Sequence, residues 1–177
     1  MSDTEGRRFQ GGVDTDGPDW RPLRAADMGR VQAISELLHP ALPERLDVLD
    51  EKRRLSPGTC LGYGGDEILG YGIAHPWLFG RIPALDGFLD GLPSEPDCLF
   101  VHDVALLPLA RGRGAAARYM RRVGDIARAG GLGGLACVAV YGAERVWSQL
   151  GFVAVGAESI RSELRHYGDA VYMVAQF

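Results

Sequence analysis

Met28, Val31, Ile34 and Leu38 recur at helical spacing behind Asp27, a residue able to cap the helix, and His39-Pro40 ends the run. A second short helix is expected after Pro43, with Leu46 and Leu49 inward and Glu44, Asp47, Asp50 and Glu51 outward. The period then changes. Residues 59–64 and 67–74 are short, β-prone stretches separated by Gly65-Asp66, which reads as a hairpin of adjacent antiparallel strands. Residues 77–97 form a long connection rich in Pro and Gly that also carries Trp77, Phe79 and Phe88, the make-up of a packed, ligand-facing loop.

An apolar strand at 98–107 leads through a Gly/Arg turn into a helix over 114–129. In that helix Ala116, Tyr119, Met120, Val123, Ile126 and Ala127 form one stripe, and Gly130-Gly131 stops it. A short buried strand at 135–140, a short helix at 143–150 and two closing strands at 152–155 and 170–174 complete the pattern. Strand, helix, strand, helix at the centre requires a parallel pair with a right-handed crossover, so the class is α/β. Residues 1–19 are rich in Gly, Asp and Arg without apolar period and are expected to be a flexible tail, leaving one domain over 20–177.

Composition narrows this further. A chain of 177 residues, 46% apolar, closes one hydrophobic core, and no second full domain fits. There is no run of eighteen apolar residues, and Met1 to Arg8 lack the layout of a signal peptide, so a soluble cytoplasmic protein without a membrane partner is expected. Cys60, Cys98 and Cys137 stand singly among apolar neighbours, which suits buried thiols and gives no metal-ligand spacing. The net charge of −4 supplies no footprint for nucleic acid, yet Arg111, Arg113, Arg118, Arg121 and Arg122 cluster in one segment and call for a local anion.

That segment carries the chemistry. Arg111-Gly112-Arg113-Gly114-Ala115-Ala116 joins a strand to a helix, where small residues let a diphosphate approach the backbone, free helical N–H groups point at it and the macrodipole favours its charge. The string also satisfies the dinucleotide pattern G-x-G-x-x-A, but four residues separate it from the strand and no Asp or Glu lies between Asp125 and Glu144 to hold a ribose. No G-x-x-x-x-G-K-[ST] loop occurs. The alternative pattern [QR]-x-x-G-x-[GA] is matched at every position by residues 111–116. Val146-Trp147-Ser148-Gln149-Leu150-Gly151-Phe152 adds a second segment similar to F-Y-x-x-L-G-F. On these two segments the chain resembles the GNAT superfamily of acyl-CoA-dependent N-acetyltransferases.

The resemblance implies a mixed, splayed six- to seven-stranded sheet flanked by helices, with acetyl-CoA as co-substrate. It places the pantetheine along Val104, Ala105 and Leu106 and the pyrophosphate on Arg111, Gly112, Arg113, Gly114, Ala115 and Ala116. The acceptor, a primary amine of a small molecule or peptide, would arrive from the other side of the splay, and a homodimer is compatible with the pattern. His102 is the candidate base: alternation puts it on the face of Val104, with Asp103 on the opposite face holding a loop or an arginine. The alternative for His102 is a histidine hydrogen-bonded inside the sheet. His75 could line the acceptor pocket, though a histidine at a strand end is more often exposed. Trp147 occupies the position of the family's acidic tyrosine, and an indole N–H gives up no proton, so Ser148 or Tyr141 is left to meet the departing sulfur. Tyr167 could close over the acceptor, and the acidic residues after Pro43 would favour a cationic amine. A CoA-binding sensor or regulatory module without turnover is the alternative function.

Overall fold

The computed structural model describes residues 18–156 and 158–177, so nearly all of the expected tail lies outside the described residues. Seven strands make one sheet: β1 (Asp19–Pro22), β2 (Leu61–Gly64), β3 (Ile68–Trp77), β4 (Cys98–Leu106), β5 (Gly134–Ala139), β6 (Val153–Ala154) and β7 (Val171–Gln176). Their spatial order is β1-β2-β3-β4-β5-β7-β6, and every pairing is antiparallel except β4 with β5. The helices are α1 (Met28–Leu38), α2 (Leu46–Leu55), α3 (Ala115–Ala129), α4 (Glu144–Gln149) and α5 (Glu158–Leu164). No helix among the described residues is long and apolar enough to cross a membrane.

The sheet is a layer between two sets of helices. On one face α3 makes the crossover between β4 and β5, burying Tyr119, Met120, Val123 and Ala127 against Leu99, Val101 and Leu135. Each such large side chain contributes roughly 1.5–3 kcal/mol on leaving water. Tyr119 lies so flat on β3 that a Cβ at Gly72 would stand 2.4 Å from its ring. On the other face α1 and α2 cover Ile68, Tyr71, Ile73 and Ala105, and Phe100, Ala136, Tyr172 and Val174 continue that layer beside Ile82 and Ile160.

Four expectations change. β1 and α5 were not foreseen, because four residues at an edge and a helix of seven residues carry too little periodicity to read. β3 runs three residues beyond Ala74, through Pro76. A proline is tolerated there because β2 pairs with β3 only as far as Gly72, so the missing N–H breaks no ladder. Ile126, placed on the buried stripe of α3, is 37% exposed.

The largest correction concerns α2. Leu46 is exposed, whereas Val48, Leu49, Glu51 and Lys52 are buried, as is Glu44 just before the helix. Of the acidic residues expected in water, Asp47 is exposed and Asp50 is half-buried beside Arg53 and Arg54, but Glu44 and Glu51 are buried, Glu51 against the loop 78–97. Glu51 accepts the backbone N–H groups of Leu89 (2.7 Å) and Asp90 (3.2 Å), and the Lys52 amine donates to the Gly87 carbonyl (3.2 Å). Asp86 accepts from the Arg45 N–H and guanidinium. A twenty-residue loop without strands must find partners for its own amides, and α2 supplies those of Leu89 and Asp90.

Candidate functional site

β4 and β5 are paired only over Leu99–Val101 and Leu135–Cys137 and then diverge. A bulge sits where they part. Ile73 pairs with Asp103 and Ala74 with Val101, so His102 is the extra residue of β4. The bulge cancels the simple alternation expected for this strand. Val104 and Leu106 pack toward α3, while Asp103 reaches Tyr71 and His102 reaches Glu44, both on the opposite face. His102 and Val104 therefore face opposite sides, and His102 and Asp103 share one.

Beyond the bulge lies a cavity of about 190 Å³ that bridges the splay. His102, Asp103 and Val104 line it from β4, Val138 and Val140 from the other arm, and Tyr141, Ala143 and Trp147 from the segment entering α4. His39, Glu44, Leu85 and Tyr167 close it from the α1–α2 connection, the long loop and the turn after α5.

Two histidine–carboxylate pairs stand in this wall. His102 Nε2–H donates to Glu44, 2.6 and 2.8 Å from its two oxygens, and both side chains are almost wholly buried. Burial works to raise the Glu44 carboxyl, but the charge and hydrogen bond of His102 outweigh it and hold the group down at about 2. With a carboxylate on Nε2, the neutral ring keeps its lone pair on Nδ1, which is buried and has no hydrogen-bond partner among the described residues. His39 Nε2 stands 3.1 Å from Asp103 as an ion pair, and the Tyr71 hydroxyl donates to the other oxygen of Asp103. Burial opposes protonation of His39, yet Asp103 and Glu44 together raise its pKa above the usual value. Its ring stacks on Tyr141 at 5.8 Å with an 8° interplanar angle.

His75 lies behind this wall, buried rather than exposed, stacked on Phe100 and 6.1 Å from the His102 ring. Burial, then the nearby charge of His102, lowers it to about 3, so it is a neutral packing residue. Of the candidate donors, Tyr141 lines the cavity and is half exposed, whereas Ser148 is exposed on α4 and lines no part of it. Asp103 holds a tyrosine and a histidine instead of an arginine. His39 and Glu44 escaped the sequence reading as partners, because each lies about sixty residues from β4 and neither sits in a motif.

The glycine turn lies at the α3 end of the splay. Gly112 and Gly114 have φ of 74° and 68°, the left-handed region that glycine enters freely, and a Cβ at Gly112 would meet nothing within 4 Å. The first helical bond of α3 joins Arg118 N–H to the Gly114 carbonyl, so the N–H groups of residues 115–117 precede the ladder and are free for an anion. Trp20 locks this end of α3, its indole donating to the Ala115 carbonyl at 2.9 Å. The Arg111 side chain turns back to the Leu106 carbonyl (2.9 Å), and Arg118 reaches the Arg113 carbonyl (2.7 Å) and the Tyr63 hydroxyl (3.1 Å). Beyond Val101 the β5-facing edge of β4 has no strand partner. Free helix amides beside an unpaired strand edge suit a ligand that joins a phosphate group to an amide chain.

The fold is thus a seven-stranded mixed sheet that splays beyond a bulged β4 and is followed by a glycine turn at a helix N-terminus. The family model "Acetyltransferase (GNAT) family" matches residues 28–152, and the chain belongs to that family. Among solved structures it is similar to the NatC complex bound to Gag peptide and CoA, at 11% identity and a TM-score of 0.69 over 91% of this chain and 99% of that one. It is also similar to NAA60 of Arabidopsis thaliana in complex with acetyl-CoA, at 14% identity and 0.67 over 90% and 99%. A third likeness is to GphF, a GNAT-like decarboxylase in complex with isobutyryl-CoA, at 15% identity and 0.70 over 89% and 98%. No curated protein sequence matches the chain.

Proposed function

We propose that the protein transfers an acetyl group from acetyl-CoA to a primary amine of a small molecule or peptide. The observation that carries this reading is the Glu44–His102 pair, buried in the cavity wall where β4 and β5 part, with His102 Nδ1 left unpartnered. Residues 111–116 would hold the diphosphate, and the edge of Val104, Ala105 and Leu106 that β5 leaves unpaired would hold the amide chain, with the Leu106 carbonyl shared with Arg111. Acetyl-CoA, when bound, supplies a thioester carbonyl open to an amine.

An ammonium cannot attack until it loses its proton. His102 takes that proton at Nδ1 while Glu44, fixed on Nε2, keeps the tautomer and steadies the imidazolium that results. Tyr141 is the remaining candidate to meet the departing sulfur. Free thiols have a pKa near 8.5, so a thiolate leaves tolerably without a strong acid. The test is release of free thiol from acetyl-CoA with purified protein and amines. His102→Ala should lower the rate by roughly 10²-fold or more while CoA binding by calorimetry stays near wild type. His102→Gln retains hydrogen bonding without basicity, and wild-type turnover in that variant would assign His102 a structural role.

Trp147 favours a second reading. An indole in the wall where the family's tyrosine is expected suits a CoA-binding module without turnover. CoA binding without thiol release from any amine would select it.

A further inference from the structure

Each carboxylate in the cavity wall is engaged by a histidine. Among the described lining residues the ionisable groups are two carboxylates, Glu44 and Asp103, two histidines, His102 and His39, and two tyrosines, and each carboxylate is matched to one histidine. The lining includes no lysine or arginine. Besides these pairs and the hydroxyls of Ser35, Tyr141 and Tyr167, what a ligand meets is apolar or aromatic, with Leu42, Leu85, Phe100, Val138, Val140 and Trp147 the large side chains. Of the acidic residues after Pro43 only Glu44 lines the cavity, and it is engaged by His102. Glu44 belongs to His102, and Glu51 belongs to the loop amides.

Size and closure narrow the choice further. A cavity near 150 Å³ takes a benzene molecule, so about 190 Å³ holds one ring with a short arm. Its roof is fastened: the Tyr167 hydroxyl donates to the Pro83 carbonyl at 2.7 Å, and Glu163 accepts the Ile82 N–H at 2.6 Å. A chain leaving on that side would have to break both bonds.

We propose that the cavity selects a small primary amine on a compact apolar or aromatic body with no second charge, and that His39, by pairing with Asp103, sets this selectivity. The inference rests on the acyltransfer reading above and deepens it. A second ammonium or a carboxylate would be buried without a partner, which the interior penalises heavily. The same apolar walls favour the neutral form of the reacting amine, since desolvation lowers the pKa of a cationic group. Were His39 absent, Asp103 would keep only the Tyr71 hydroxyl and would become a free anion for a distal ammonium.

The test compares 2-phenylethylamine, putrescine, L-lysine and a short peptide with a free N-terminus as acceptors for the full chain with acetyl-CoA. The expected kcat/KM for 2-phenylethylamine exceeds each of the others at least tenfold. Equal or better use of the diamine, the amino acid or the peptide overturns the proposal. His39→Gln should narrow the gap between 2-phenylethylamine and putrescine at least fivefold, and an unchanged gap removes His39 from the account. Leu85→Asp, on the loop wall, places a free carboxylate in the same cavity and should shift preference in the same direction should the His39 variant fail to fold. If no amine releases thiol, the acyltransfer reading fails. Calorimetry of the same amines on the CoA-loaded protein still reads the selection, with tighter binding of 2-phenylethylamine supporting it and any other order overturning it.

Discussion

At the residue scale, the Glu44–His102 pair shows how a buried carboxylate stays charged. Desolvation works to raise the Glu44 carboxyl, and the charge and hydrogen bond of His102 at 2.6 Å, helped by the Lys52 charge and the Asp86 backbone, reverse this. The pair is therefore conditional, since removing either member leaves the other buried without its partner. Glu44→Gln preserves the shape but removes the charge that steadies an imidazolium. It should lower thiol-release turnover by about 10- to 100-fold, less than His102→Ala, with KM for acetyl-CoA nearly unchanged. Steady-state kinetics on the two substrates separates these effects.

At the element scale, the bulge in β4 and the flat packing of β3 do the positioning. One extra residue turns His102 and Asp103 to the same face, which alternation forbids. On the α3 face, Gly72 admits the Tyr119 ring, whose hydroxyl donates to the Thr59 carbonyl at 2.7 Å. Gly72→Ala should destabilise the protein by about 1–3 kcal/mol through overpacking, visible as a lower urea midpoint with an unchanged slope. The junction of β1 and α1 depends on Asp27, which accepts from the Arg21 guanidinium at 2.7 and 2.9 Å and from the Arg24 N–H at 2.7 Å. The Arg21 hydrogen bonds, against the cost of burial, hold its carboxyl far below the usual 3.8. A depressed carboxyl contributes its stability in full above its unfolded pKa and loses it as pH falls toward the folded value. Asp27→Asn should cost about 2 kcal/mol at pH 7, and the gap to wild type should shrink as pH drops below about 4. Urea titrations at pH 7 and pH 3.5 check both statements.

At the scale of the whole molecule, the fold divides two tasks. The glycine turn and free strand edge lie at the α3 end, and the cavity with its two histidine–carboxylate pairs bridges the splay. A ligand held by residues 111–116 binds only the folded chain. CoA at about 100 times its Kd should therefore stabilise the protein by about 2.7 kcal/mol. For a chain of this size that raises Tm by roughly 5–10 °C. Gly114→Asp puts a carboxylate at the free amides and should abolish most of the rise, although the fold persists because Asp tolerates the left-handed conformation better than most residues. Thermal scans with and without CoA decide it, and a full shift in the variant would overturn the cradle assignment.

The sequence by itself determined what is local. The α3 stripe, the hairpin, the parallel pair and the glycine turn are written in neighbouring residues, since period, breaker residues and small side chains act over a few positions. His102 could be singled out because it lies on the strand that feeds the turn. What only the tertiary structure decided is what depends on partners distant in the chain. Glu44 looks like a solvated acid until the fold brings it against His102, 58 residues away. Asp103 looks like a loop anchor until Tyr71 and His39 converge on it, and His75 looks exposed until Phe100 and Trp77 close around it. A charge does not reveal its partner in sequence, because ionisation and burial are set by the groups within a few ångströms, and those are chosen by how the sheet and its helices pack.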